Sequence, residues 1–259
     1  MKKIIILLVI ISIGQNLFAQ GKQHFTTSGT IEFERRLNMF NVLKKQINKY
    51  NESYMQQMYD NYKKSNPQFK VQKSVLSFSK DKSLYVPVPD EPTTNNNYVW
   101  NAAPTVQQPN TVYNDLNTGM SVIQKKAFEE IFLLKDSTRK INWKITDETR
   151  EIAGYTCRRA NALIMDSIYV VAFYTIEIPV SSGPESFTGL PGMILGVAVP
   201  HDDYTWFATK VTDTTLPPNA LNPPTKGKPV NNKELKLKLN EALKDWREEG
   251  ASYMKVLMW

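Results

Sequence analysis

From residue 111 to residue 211 the chain is a nearly unbroken series of short apolar or alternating runs separated by polar turns. Residues 112–122 are divided by Asn117-Thr118-Gly119, and residues 131–134 and 141–145 flank a polar bend at 136–140. Residues 151–165 and 168–178 flank Asp166-Ser167, and residues 193–199 and 204–211 flank Pro200-His201-Asp202-Asp203. Short strands with polar turns at this spacing predict an antiparallel meander. So many consecutive strands predict a sheet that curls, since a twisted sheet left flat does not cover its faces.

Upstream, Gly29-Thr30-Ile31-Glu32-Phe33-Glu34 alternates as a first strand does, and residues 69–86 read as a hairpin bent at Lys80-Asp81-Lys82. Between them the period changes. Leu43, Ile47, Tyr50, Tyr54, Met58 and Tyr62 recur at steps of three and four, one face of an amphipathic helix that ends at Asn66-Pro67. Tyr and Met tolerate irregular packing, so Tyr54 and Met58 are candidate lining for a ligand groove, although a helix covering a sheet is the plainer reading. Near the end, Leu235, Leu239, Ala242, Leu243 and Trp246 keep helical spacing, Asn231 with Glu234 forms a capping box, and Gly250 suits the far end. The apolar tail 256–259 is expected to dock on the body. Pro-rich stretches at 87–110 and 216–230 read as long irregular loops, with Tyr98 and Trp100 inside the first. The expected architecture is α+β: a curved, mostly antiparallel, half-barrel-like sheet with amphipathic helices packed on it. One domain is expected over residues 20–259, its core sheet at about 111–211. A helix in the hollow of such a sheet is the arrangement of periplasmic lipoprotein carriers, a fold-level analogy that does not carry function.

The sharpest punctuation is Gly189-Leu190-Pro191-Gly192-Met193-Ile194-Leu195. Proline fixes φ for the second position of a tight turn, glycine accepts the position after it, and Leu190 before proline is held extended. The chain should arrive extended, reverse, and leave as a strand. With Ile152-Ala153-Gly154-Tyr155-Thr156-Cys157 upstream and Phe173-Tyr174-Thr175-Ile176-Glu177-Ile178-Pro179 leading in, this stretch resembles the signature of the GLPGLI family, exported proteins of the Bacteroidetes, with Met193 in place of the usual leucine. The resemblance covers roughly residues 130–211 and implies no reaction, because the family's activity is not established. Phe187, Gly189, Leu190, Pro191, Gly192, Met193 and Ile194 are candidate ligand- or partner-binding residues: a rigid turn bearing apolar side chains loses little entropy when covered. The competing reading makes the same residues a strand crossing, with Leu190 and Ile194 plugging the core.

Residues 1–19 have the form of a cleaved secretory signal: Lys2 and Lys3, an apolar run at 4–13, and Leu17-Phe18-Ala19 at the cleavage position. The run is too short to span a membrane, and no cysteine follows it to carry a lipid anchor. A periplasmic or secreted location is expected, with no transmembrane segment in the mature chain. The formal net charge of +7 falls to +5 without Lys2 and Lys3. That scattered excess suits an anionic membrane surface or an acidic partner, but a modest solvated excess is the plainer reading, and nucleic acid is a poor candidate because no recognition module is visible.

Catalytic chemistry is thinly supplied. Cys157 is the single cysteine, so no intrachain disulfide can form, and its alternating context reads as a core residue despite Arg158 and Arg159 beside it. His24 lies in the N-terminal tail, and His201 with Asp202 and Asp203 lies in a turn, too few convergent ligands for a metal. Ser186 lacks a Gly-x-Ser-x-Gly elbow, and Glu129-Glu130 and Glu248-Glu249 are mere neighbours. No cofactor is implied. The expected function is a non-catalytic exported carrier or accessory protein of the cell envelope that binds an apolar small molecule or an envelope protein. The alternatives are a structural or assembly partner of an outer-membrane complex, and a hydrolase.

Overall fold

The computed structural model describes residues 25–90 and 106–258. The signal segment, His24, Tyr98, Trp100 and Trp259 lie outside the described residues, as do the side chains of Glu248 and Glu249.

The chain opens with β1 (Gly29–Asn38), in which Ile31, Phe33, Arg35 and Leu37 turn to the buried side. Asn38 then caps α1 (Met39–Lys45), its side chain accepting from the Asn41 amide at 3.2 Å. The single helix expected over residues 43–62 is instead two. Asn48 and Asn51 intervene: the Asn51 side chain accepts from the Asn48 amide at 2.8 Å and donates to the Gln46 carbonyl at 2.9 Å. Asparagine offers the backbone such local partners in place of helical ones, and α2 begins afresh at Glu52–Ser65. The buried stripe also shifts, to Leu43, Met55 and Tyr62.

The strands β2 (Phe69–Phe78), β3 (Lys82–Pro87), β4 (Thr111–Asp115), β5 (Met120–Ala127) and β6 (Glu130–Ser137) follow as consecutive antiparallel neighbours. A second run comprises β7 (Lys144–Ile152), β8 (Tyr155–Ile164), β9 (Ile168–Thr175), β10 (Met193–Val199) and β11 (Tyr204–Asp213), each antiparallel to the next. β1 joins the two runs by pairing with β2 on one side and β11 on the other. A short parallel strand, β12 (Lys228–Val230), is added to β6. The result is one open, mixed, twelve-stranded sheet in the order β12-β6-β5-β4-β3-β2-β1-β11-β10-β9-β8-β7. With α3 (Asn232–Leu243) and α4 (Arg247–Leu257), four α-helices accompany it among the described residues, broadly an α+β arrangement.

Two expectations fail here. The bend at 136–140 does not join a hairpin: β6 lies near one end of the sheet and β7 is the opposite edge. The crossing between them is anchored by its own side chains, Arg139 donating to the Met258 carbonyl and the Trp143 indole donating to the Thr188 carbonyl at 2.8 Å. Gly250 also does not end a helix but sits inside α4, whereas the tail docks on the body as expected, with Val256 and Leu257 buried. The capping box on α3 is present as read, Asn231 accepting from the Glu234 amide at 2.9 Å and Glu234 from the Asn231 amide at 3.0 Å.

The register sorts side chains onto one inner face. Phe33, Leu76, Tyr85, Val112, Ile123 and Leu134 belong to one buried cluster with Leu235 and Leu239 of α3 and Leu257 of α4. Leu37, Tyr204, Trp206, Val197 and Ala172 belong to another, with Phe187, Leu190 and Ile194. β9 is buried at every position but Tyr169, so it is covered on both faces. That explains its continuous rather than alternating apolar run.

Candidate functional site

The segment between β9 and β10, residues 176–192, crosses the inner face. It is held by its backbone: the Met193 amide donates to the Ile178 carbonyl at 2.9 Å and the Ile194 amide to the Ser182 carbonyl at 2.8 Å. Phe187, Leu190, Met193 and Ile194 are all at least 98% buried, Phe187 lying 6.0 Å from the Trp206 ring. The two glycines have separate reasons. Gly189 has φ +94°, which L residues avoid, while a Cβ on Gly192 would sit 2.0 Å from the Thr175 carbonyl oxygen. Of the candidate turn residues only Gly189 and Pro191 are exposed. The apolar side chains read as available to a partner therefore plug the interior.

Beneath this segment lies a buried polar cluster. Glu185, Lys125 and Arg35 are 5%, 2% and 3% exposed. Glu185 accepts from the Asn110 side chain at 3.0 Å through one oxygen, and its Oε1 has no hydrogen-bond partner among the described residues. Burial pushes the Glu185 carboxyl up, opposed by Lys125, Asn110 and Arg35. Burial likewise pushes the Lys125 amine down to about 8, with Glu185 holding it up and Arg139 adding to the fall. Arg35 lies over the Tyr204 ring at 4.5 Å and donates to the Val106 carbonyl at 2.7 Å and to the Gln72 side chain. Across the strands Ser83, Asn114, Ser121 and Asp136 face one another in register, and Ser182 from the crossing segment donates to Ser83 at 2.8 Å. The crevice beside Lys125, Arg139 and Ser186 encloses about 30 Å³, water-sized space and too small for an organic ligand.

A larger space opens elsewhere. Between the β8–β9 turn and the helices α3 and α4 runs a groove of about 560 Å³. Its apolar lining includes Met165, Ile168, Leu243 and Met254, with Lys244 and Lys255 also on its walls. Lys255 is fixed by Asp202 at 2.7 Å and Lys244 by Glu241 at 2.6 Å.

The remaining sequence candidates are dispersed. Tyr54 and Met58 are 56% and 42% exposed, on the outer side of α2 and away from the groove lining. Cys157 is fully buried, and burial, with Glu177 adding, pushes its thiol up to about 12, which leaves almost no thiolate at neutral pH. His201 is exposed in a short 3-10 turn, while Asp202 and Asp203 are taken by Lys255 and Lys45. Among the described residues no three His, Cys, Asp or Glu side chains come together to hold a metal. Glu130 pairs with Lys228 on the surface.

Sequence reasoning missed Arg35, Lys125 and Glu185. The signal was nevertheless present in the first two: each occupies the apolar phase of its strand, Arg35 after Ile31 and Phe33, Lys125 after Ile123 and before Ala127. A charge in that phase marks a buried ion. Glu185 gave no such sign, because it lies in an irregular segment with φ +52°. The groove depends on packing between distant segments and has no local signature.

A family model described as a protein of unknown function (Porph_ging) matches residues 163–196, from the end of β8 through the signature turn into β10. No curated protein matches the chain. A solved structure of PNGF-II in the C2 space group is similar at a TM-score of 0.50 and 14% identity, over 79% of this chain and 31% of that one. The same protein in space group P21 gives a TM-score of 0.49 and 16% identity, covering 82% and 33%. An uncharacterized conserved protein from Thermus thermophilus gives a TM-score of 0.38 and 4% identity, covering 84% and 98%. This chain thus spans about a third of the length of the PNGF-II chains, and the first likeness shows a shared fold alone.

Proposed function

We propose that this chain is an exported, non-catalytic binding protein of the cell envelope, of the GLPGLI type, which holds an apolar ligand or an apolar partner segment beneath its C-terminal helices. The observation that carries this reading is the groove of about 560 Å³ walled by Met165, Ile168, Leu243 and Met254. It lies within the roughly 300–1,000 Å³ typical of small-molecule sites, and its walls are mostly apolar.

The groove belongs to a curved, half-barrel-like sheet. β6 and β9 lie eight positions apart in the strand order, roughly 38 Å if the sheet were flat. Yet α3 meets β6 at one end, where the Asn232 amide donates to Asp136 at 3.0 Å, and at the other shares the walls of the groove with α4 and the β8–β9 turn. A helix of 12 residues reaches only about 18 Å, which supports a curved sheet over a flat one. The buried thiol of Cys157 and the absence of converging metal ligands among the described residues favour binding over hydrolysis.

The test is release of bound material from protein purified natively from its own envelope, followed by mass spectrometry. A stoichiometric apolar molecule is the expected result. Recovery of empty protein, with no rise in Tm on adding detergents, acyl chains or apolar peptides, would overturn the reading. A second reading, an assembly partner, rests on the exposed stripe Tyr50, Tyr54 and Met58 on and beside α2, with Gly189 and Pro191 as a further exposed turn. Crosslinking through position 54 that traps one dominant envelope protein would favour it.

A further inference from the structure

Asn110, Lys125 and Glu185 meet on the inner face in a way that admits a covalent step. β4 and β5 pair antiparallel with Thr111 opposite Gln124, so one step further along the register Asn110 comes beside Lys125. Both residues are buried in the inner-facing phase, together with the opposed pair Val112 and Ile123. Directly opposed residues of an antiparallel pair hold their Cβ atoms about 4.5–5.5 Å apart, within reach of a lysine side chain. Glu185 arrives at the same place from the crossing segment. Its Oε2 accepts from Asn110 Nδ2 at 3.0 Å, and its charge acts on the Lys125 amine. Asn110, Lys125 and Glu185 are 3%, 2% and 5% exposed, and Glu185 Oε1 has no hydrogen-bond partner among the described residues. The Glu185 backbone is held at φ +52°, a strained conformation that fixes this carboxyl beneath the segment. Burial lowers the Lys125 amine and raises the Glu185 carboxyl, which draws the two toward a neutral amine and a neutral acid.

We propose that Lys125 and Asn110 join in an intrachain isopeptide bond, with Glu185 carrying the proton between them. From the neutral amine and the neutral acid, the lone pair on Lys125 Nζ attacks Asn110 Cγ. The Nζ–Cγ bond forms and the Cγ–Nδ2 bond breaks. Glu185 hands its proton to Nδ2, the nitrogen its Oε2 already touches, and takes one from Nζ, so the carboxyl ends as it began. Ammonia leaves, and no oxidant, reductant or cofactor is consumed. With a single cysteine the chain can form no intrachain disulfide. This bond ties the open end of the β4–β5 hairpin instead, closing residues 110–125 into a loop that restrains the unfolded chain as a disulfide does. Titration of Lys125 belongs to the unlinked form.

The experiment is peptide mapping by mass spectrometry of the folded full-length protein, denatured and then digested. Chymotrypsin cuts after Tyr113 and Leu116, between the two residues, so peptides bearing Asn110 and Lys125 that stay joined, lighter by one ammonia, report the bond. Trypsin should likewise pass over a linked Lys125 and cut after Lys126. Lys125→Arg and Asn110→Ala should abolish the joined peptides. Glu185→Gln, with circular dichroism to show that it folds, should lower their yield at least about tenfold in a fixed time. Asn110→Asp, which keeps the shape of the side chain, should still link, losing water in place of ammonia. Folded wild-type protein that yields only separate peptides, with cleavage after Lys125, would overturn the proposal. So would a loss of ammonia without joined peptides, since cyclisation of Asn110 alone or of an N-terminal Gln20 gives the same mass. Joined peptides at unchanged yield in Glu185→Gln would overturn the role assigned to Glu185.

Discussion

Replacing Glu185 with glutamine removes one buried charge while keeping an acceptor for Asn110, whose side chain donates to it at 3.0 Å. The consequence falls on Lys125. Burial already depresses its amine from 10.5 to about 8 in the folded protein, and Glu185 is the group that holds it that high. Without Glu185 the amine falls further, so less of it is charged at pH 7. The cost at that pH is bounded by the free energy of discharging a group whose value lies one unit above it, about 1.4 kcal/mol. The sign with pH follows from proton binding. Between about 8 and 10.5 the unfolded chain keeps the Lys125 proton and the folded protein has shed it, so stability from this residue rises with pH across that window. Above about 8 the wild-type protein has a neutral Lys125 and a buried carboxylate deprived of that partner, so Glu185→Gln should cost little or stabilise. Urea denaturation at pH 7.0 and pH 9.5 reads both limbs, with the two proteins compared at the same m-value. The expected result is a loss of roughly 1–1.5 kcal/mol at the lower pH that vanishes or inverts at the higher. A loss beyond about 3 kcal/mol at pH 7, the range for an uncompensated buried charge, would refute the reasoning. So would a loss independent of pH.

Three further outcomes follow from particular contacts. Gly192→Ala forces a Cβ against the Thr175 carbonyl, 2.0 Å away, and should cost at least 1–3 kcal/mol by thermal or urea unfolding, the range for overpacking a core. Cys157 should resist a thiol reagent such as DTNB at pH 8 in the native protein and react at once in denaturant, since its thiol is fully buried and pushed up to about 12; rapid native labelling would contradict that placement. Asn231→Ala removes the cap of α3 and should lower stability by about 1 kcal/mol, with Asn231→Gly milder.

How much of this was legible in the sequence depends on the range of the forces involved. The β2–β3 hairpin, the β8–β9 hairpin about Asp166-Ser167 and the capping box at Asn231 and Glu234 all rest on contacts within a few residues, and each stands as read. The partner of β7 does not rest on such contacts. Residues 131–145 have the form of a hairpin, but β6 pairs with β5 and β12, and the chain crosses to the far edge, where β7 meets β8. Nothing local at Asp136 to Lys140 distinguishes a turn from a crossing. The helix at 43–62 failed because two asparagines hydrogen-bonded their own backbone more effectively than the apolar period could hold it together. The buried cations were readable from strand phase. Glu185, which answers them, was not, because its placement is set by an irregular segment against strands some 60 to 150 residues away.

On the proposed reading, the signature turn and the groove divide the work of the molecule. Leu190, Met193 and Ile194 go inward, Gly192 lets the chain approach the end of β9, and Glu185 ties the segment to Lys125 and Asn110 on the inner face. Residues so constrained fix the crossing by which β9 reaches β10, and what they place is a wall. The groove lies at the opposite end of β9, by the β8–β9 turn, with Ile168 and Met165 on its walls together with residues of α3 and α4. If the groove binds an apolar ligand as proposed, perturbing the turn should lower stability and leave that affinity unchanged in the fraction that folds. Perturbing Met254 should do the reverse. A Gly189→Ala protein that is folded at assay temperature but has lost ligand binding would break that division and return the turn to the binding surface.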